Sequence, residues 1–423
     1  MLFLFSVGKF NQQIARSVVF QNDDAWYQTA EDTKEKIKQY ENYRDTFMNS
    51  AQSLYELFVL DEEVSRLLER LSTYAYFKSD EDNRNNTYLK MSGEIDNLYI
   101  LAETNSAFII PNLLKYQYTK IEEYMEQEPR LKQYERSFQQ IYRYQPYVLS
   151  EKEEKLLSEY QKVFQVPSNV YDILSNSDLK LGTVQDEEGK EVELSDANFI
   201  YYLRSKNRAF RKRVFDTVYQ TYQQFSNTFA TSLSGVVEYS CVDAKVRGYE
   251  SSMQSYLFPD QMPVSGYHNL IDSAHEGLPV LMKYFQLKKQ ELHLDEIHIY
   301  DLYVDLVKEN NQEYAFEEAK EMVLNAMSVL GEDYVRRLKE AFTNRWIDVY
   351  PNKGKQKGAY SGGGYDTPPY VLLNYMGTID DVSALAHELG HAMHSYYTKE
   401  NNPYITGDHS TFVGEVASTV NEL

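Results

Sequence analysis

Apolar residues recur at helical spacing along most of this chain. Between about 23 and 120 the sequence is charged and nearly free of glycine and proline. It sets Leu54, Leu57 and Phe58, then Val64, Leu68 and Leu71, three or four positions apart. That period predicts a series of long amphipathic helices. Pro111 and Pro129 punctuate them, and the pattern resumes at Glu151 and is expected to stop at Pro167. Over 179–194 the period changes. Leu179 and Leu181, then Val192 and Leu194, flank Asp186-Glu-Glu-Gly189, which predicts a small β-hairpin. Ser195-Asp-Ala-Asn198 then offers a cap for one long helix to about 246, with Arg and Lys on its exposed face. Further helices are expected at 264–292, 315–330 and 333–343, with His298-Ile-Tyr-Asp301 as a loop or short strand between the first two.

From Trp346 the texture shifts. A glycine cluster, Gly358 and Gly362 to Gly364, and two prolines precede the β-prone run 370–375. The loop reads as either a surface turn or a flap over substrate, and Gly364 and Tyr365 are its candidate substrate contacts. No Gly-Lys-Ser/Thr closes it, so it is not a phosphate loop. The run at 370–375 predicts a short strand whose exposed edge can hold an extended peptide by main-chain hydrogen bonds.

The segment TIDDVSALAHELGHAMHSYYTKE follows, and it carries the chemistry. Thr378 to Asp381 resembles a capping box, and Val382, Leu385, Leu389 and Ala392 form an apolar stripe. On such a helix His387 and His391 share one face, separated by about 6 Å of rise, and can converge on one metal ion. Glu388, rotated by about 100°, stands beside that ion as a candidate general base. The bland alternative is a core helix with two satisfied histidines.

A catalytic zinc takes three protein ligands. Tyr397 and His394 stand where the extended His-x-x-Gly-x-x-His motif would need His and Gly, which removes that class. Glu400 would face the wrong side of a continued helix. Glu415 lies on a separate helix after Asn401-Asn-Pro403 and is the candidate third ligand. Glu422, two turns further on, is a candidate acceptor for a ligand histidine. His394 is left as a substrate contact or as packing.

Charge and cysteine usage narrow the setting. The 423 residues carry 43 Lys and Arg against 64 Asp and Glu, a net charge of −21, which argues against nucleic acid and anionic membrane as partners. Cys241 is the only cysteine, which excludes an intrachain disulfide and suits a reducing compartment; its expected role is a small buried side chain. The apolar start, residues 1–5, lacks the features of a signal peptide, and no run reaches the length of a membrane span. A cytoplasmic protein is expected, its oligomeric state left open. The 38 tyrosines read as amphipathic packing at helix interfaces.

HELGHAMHSYY, with the upstream WIDVY and GAYSGGGYDTPPYVLLNY and the downstream FVGEVASTVNE, resembles the oligoendopeptidase F branch of the thimet-oligopeptidase-like zinc metallopeptidases. The resemblance implies a mainly α fold, a helical ellipsoid with a deep substrate channel. It implies one Zn2+ per chain on His387, His391 and Glu415, with Glu388 as general base. The hairpin near 179–194 marks the expected boundary between an N-terminal helical domain, 1–195, and a domain, 196–423, that the resemblance implies is a metallopeptidase hydrolysing oligopeptides. Family members continue past this motif through a His/Tyr-containing stretch, so the chain ending at Leu423 is expected to be a C-terminally truncated form, poorly soluble and weakly active. The competing reading is a non-catalytic peptide-binding helical protein with a structural metal clamp. Structural zinc usually has four ligands, often with cysteine, and the lone Cys241 is distant in sequence.

Overall fold

A computed structural model describes residues 19–306 and 313–423; the apolar start at 1–5 lies outside the described residues. The fold is mainly α, with five short strands among the described residues. Its contacts divide into two compact units.

Of the described residues, the first unit takes those up to 165, with 315–375 and 380–423. Its helices Asp23–Ile37, Ala51–Glu81 and Asn86–Ser106 form the expected amphipathic set. Leu54, Leu57, Phe58, Val64, Leu68 and Leu71 are all buried, and the enclosed Trp26 indole donates to the Leu71 carbonyl at 2.9 Å. Asn22, Ser50 and Asn85 accept backbone N–H groups at the three helix starts. Pro111 does not interrupt a helix but sits in the short one, Ile109–Leu113.

The same unit holds a three-stranded sheet: β3 (Ile347–Asp348), β4 (Tyr360–Gly362) and β5 (Tyr370–Leu372). The strand order is β3-β5-β4, with β5 parallel to β3 and antiparallel to β4. The predicted strand is therefore the buried centre of the sheet, and both its edges are occupied. The edge that the sequence assigned to β5 belongs to β4.

The second unit comprises 166–314 and 376–379. The expected hairpin is present: β1 (Thr183–Gln185) pairs antiparallel with β2 (Glu191–Glu193) around a turn at 186–190. Leu181, Val184 and Leu194 pack with Leu203, Phe210, Val214 and Val218 into one core. The helix predicted from Ser195 to about 246 is instead three, Asp196–Leu203, Arg208–Gln224 and Ser226–Arg247. Ser195 and Asn198 make the expected capping box, and Asn207 caps the second helix anew, which is why the first ends at Leu203. Residues 298–301 form no strand but the 3₁₀ turn Ile299–Asp301.

Two further expectations fail for tertiary reasons. The helix Glu151–Ile173 runs through Pro167, whose ring lies against Gly235 and whose carbonyl accepts the Ser232 hydroxyl. A partner without a side chain leaves room for the proline ring, so the local breaker signal is overridden. Cys241 is exposed, because the helix that carries it buries only Ser232 and Ala244.

Arg211 is not on an exposed face either. Its guanidinium, 3% exposed, donates to the fully buried Asp301 at 2.7 Å, and Arg208 donates to the same carboxylate at 3.0 and 3.1 Å. Burial pushes the Asp301 pKa up, but the two guanidiniums and the His298 N–H outweigh it and hold the carboxyl below its ordinary value. A depressed folded-state pKa stabilises above the unfolded-state value, about 4, and that stability is lost as pH falls through the folded value. We expect Asp301→Asn to strand the buried Arg211 at a cost of about 3 to 5 kcal/mol. It should lower the urea midpoint followed by circular dichroism at neutral pH, by less as the pH is taken below 4. A midpoint unchanged at pH 7 would contradict this account.

Candidate metal centre

The helix Ile379–Asn401 buries Val382, Leu385, Leu389 and Ala392, the predicted stripe, together with Ala386, Gly390 and Met393. That burial fixes its rotation and turns His387, His391 and Ser395, each four residues after the last, toward one cavity. The cavity holds about 470 Å³ and is lined also by Ala359, Tyr360 and Ser361 of the β4 segment, by Glu388, and by His409, Thr411, Gly414 and Glu415.

The second helix of the site, Thr411–Glu422, is capped by Ser410. It lies so close to the first that a Cβ built on Gly390 would stand 2.6 Å from Ser418 Cα and 2.8 Å from the Ala417 carbonyl oxygen. Asn421 ties the two by donating to the Ala386 carbonyl at 3.0 Å. This approach brings Glu415 Oε2 to 3.5 Å from His387 Nε2 and 3.7 Å from His391 Nε2, with the two Nε2 atoms 3.2 Å apart. Among the described residues these are the one His/Cys/Asp/Glu cluster whose donor atoms fall within 4.8 Å of one another.

The two rings are oriented from behind. Glu422 lies 2.5 Å from His387 Nδ1, and the His391 ring is hydrogen-bonded to the Gly414 backbone. With its Nδ1 engaged by Glu422, the His387 imidazole turns Nε2 toward the cluster, where His391 Nε2 lies 3.2 Å away. Burial holds the His391 pKa below its ordinary value, with Glu415 opposing, so the ring is a neutral donor at pH 7. Two imidazole nitrogens and a carboxylate oxygen are the donor set of an open tetrahedral zinc site.

Glu388 is 7% exposed and accepts a hydrogen bond from the Ser361 backbone N–H. Burial pushes its pKa up to about 7; His387 opposes the shift, and Glu415 and Glu422 add to it. A cation at the cluster would act in the opposite direction, favouring the carboxylate.

The remaining sequence candidates fall elsewhere. His394 does not line the cavity; its ring lies tilted against His409 with centroids 3.9 Å apart, and its buried Nδ1 has no hydrogen-bond partner among the described residues. Gly364 and Tyr365 are outside the lining too, held against the helix Ala51–Glu81. Glu400 faces away and pairs with Arg337 at 3.2 Å. Sequence reasoning missed Ser361, Ser395, His409 and Thr411. Half of the chain's 8 histidines lie between 387 and 409, and the i+4 series from His387 continues to Ser395; these signals were in the sequence.

The chain is similar to known proteins along most of its length. The model of Peptidase family M3 matches residues 201–423, and that of Oligopeptidase F matches residues 112–180. Oligopeptidase PepF of Bacillus subtilis (strain 168) is 41% identical over 404 residues, which are 96% of this chain and 60% of the relative. Group B oligopeptidase PepB of Streptococcus agalactiae serotype III (strain NEM316) is 35% identical over 96% of this chain and 67% of its own length. The crystal structure of oligoendopeptidase-F from Enterococcus faecium superposes with a TM-score of 0.73 at 28% identity, over 95% of this chain and 66% of that one. The chain belongs to peptidase family M3, and its relatives there are of the oligoendopeptidase F kind. It spans about three fifths of the length of the Bacillus subtilis relative.

The helix contact yields a test. Gly390→Ala must separate the helices Ile379–Asn401 and Thr411–Glu422 at their closest point, so we expect a stability loss of about 1 to 3 kcal/mol. Zinc affinity, read by competition with a chromophoric chelator, should fall at least about tenfold with helical content unchanged. Unaltered affinity would show that Glu415 is not placed by that contact.

Proposed function

We propose that this chain carries the centre of a zinc-dependent endopeptidase acting on short to medium oligopeptides. One observation carries the reading: His387 Nε2, His391 Nε2 and Glu415 Oε2 converge from two helices while Glu388 stands next to them in the same cavity. His387, His391 and Glu415 would hold one Zn2+. Held there, the ion would supply activation of water and polarisation of the scissile carbonyl.

The protein's own residues do the rest. Glu388 accepts the proton of the attacking water and passes it to the leaving amine, which requires the carboxylate form. A cation at the cluster favours that carboxylate form, and the Ser361 N–H holds the carboxylate in place. Glu422 fixes the His387 ring through Nδ1. β4 is the edge strand beside Glu388, and an extended peptide adds to such an edge by main-chain hydrogen bonds. A cytoplasmic setting suits the single exposed thiol of Cys241, which a reducing compartment keeps free.

Five substitutions and a chelator test this. Glu388→Gln should retain zinc but lower kcat by roughly 10² to 10⁴, because the amide cannot take the proton. His387→Ala and Glu415→Ala should lose zinc, whereas Glu400→Ala keeps it. Glu422→Gln should weaken zinc binding by about 10- to 100-fold. Metal analysis and hydrolysis of an internally quenched oligopeptide, with and without chelator, decide the matter. A chain that binds no zinc and shows no chelator-sensitive hydrolysis overturns the reading.

A further inference from the structure

The glycine-rich loop that follows β4 is fastened on every side. Lys399, eight residues past His391, donates to the carbonyls of Gly363 at 3.1 Å and Gly364 at 2.7 Å. The Gly364 N–H donates to Thr73 at 3.0 Å, and the Tyr365 N–H to Glu69 at 3.0 Å. The other oxygen of Glu69 accepts the Tyr404 hydroxyl at 2.7 Å, while the Tyr365 hydroxyl donates to the Asn402 carbonyl at 2.7 Å. Arg66 grips Asp366 through two nitrogens, at 2.9 and 2.6 Å.

No side chain fits where the loop touches its supports. A Cβ on Gly364 would stand 3.0 Å from Glu69 Cβ and 3.2 Å from that residue's backbone, and Gly363 has φ +142°. The loop is therefore a tether among the helix Ala51–Glu81, the end of the helix Ile379–Asn401 and the turn Tyr404–Thr406. Gly363 directly follows the last residue of β4, so slack at 363–364 passes straight into the strand that lines the cavity and supplies the Ser361 N–H to Glu388.

We propose that Lys399 is a positioning residue: with Thr73 and Glu69 it clamps the loop 363–366 so that the edge of β4 stays in register with Glu388 for an incoming peptide. The inference rests on the peptidase reading. Lys399 suits the task, since its long stem spans from the metal-centre helix to the loop and both its bonds go to carbonyls. It touches neither the metal cluster nor the cavity. Its effect is therefore to be sought in peptide binding and not in zinc binding.

The test uses the full chain loaded with zinc. Lys399→Met should raise KM for an internally quenched oligopeptide by roughly five- to tenfold, because part of the peptide's binding energy is then spent on ordering a loosened strand edge. Zinc content should stay as in the parent, the melting midpoint should fall only modestly, and backbone amides at 360–365 should exchange faster with deuterium. Lys399→Arg, whose forked guanidinium can reach both carbonyls, should restore both properties. A folded Lys399→Met protein with parental KM or parental exchange overturns the proposal, as does a KM defect that Lys399→Arg leaves in place. If Lys399→Met does not fold, Thr73→Val, which removes the acceptor of the Gly364 N–H, is measured in the same way with the same expectations. Absence of chelator-sensitive hydrolysis in the parent overturns the peptidase reading alone, because the exchange experiment still decides whether the clamp exists.

Discussion

The contact on which the site depends is the approach of the helix Thr411–Glu422 to the helix Ile379–Asn401 at Gly390. A methyl group there would collide with the Ser418 backbone, so any larger residue holds the helices apart. Because they touch, Glu415 and Glu422, two turns apart on one helix, meet His387 from its two ring nitrogens. One close contact thus places a third donor and the group that orients the first. Asn421 secures the arrangement, bonding to the Ala386 carbonyl and accepting the Tyr334 hydroxyl at 2.8 Å. A buried amide with both ends satisfied fixes axial register in a way that apolar packing alone does not.

Local periodicity made the helices legible, since it records which face each helix buries. The stripe from Val382 to Ala392 and the residues from Leu54 to Leu71 are buried as their spacing requires. The hairpin at 179–194 was legible because its turn and its flanking apolar pairs are adjacent in sequence. The His387, Glu388 and His391 constellation lies within five residues, so helical geometry alone brings it together. What escaped the sequence depends on partners far along the chain. Strand order put β5 in the middle and β4 at the edge, and no local pattern distinguishes the two. Asp301, 90 positions from Arg211, turns an apparent surface arginine into a buried one. Gly235 accommodates the ring of Pro167 inside a helix, and the exposure of Cys241 follows from which face of its helix finds a neighbour. The support of Gly364 and Tyr365 by Glu69 and Thr73 spans almost 300 positions and leaves no trace in the loop's composition.

The short length of β4 has a bearing on self-association. A strand edge able to accept a peptide is equally able to accept a strand from another copy, the first step toward sheet-to-sheet aggregation. β4 offers three residues, Tyr360 to Gly362, before Gly363 turns the backbone to a φ that a strand cannot continue. One outward amide of those three is already committed to Glu388. The ladder another chain could build there ends almost as soon as it begins. A short guest held additionally by the neighbouring cavity suits such an edge, whereas a long β-strand with nothing but its main chain to contribute gains little from it.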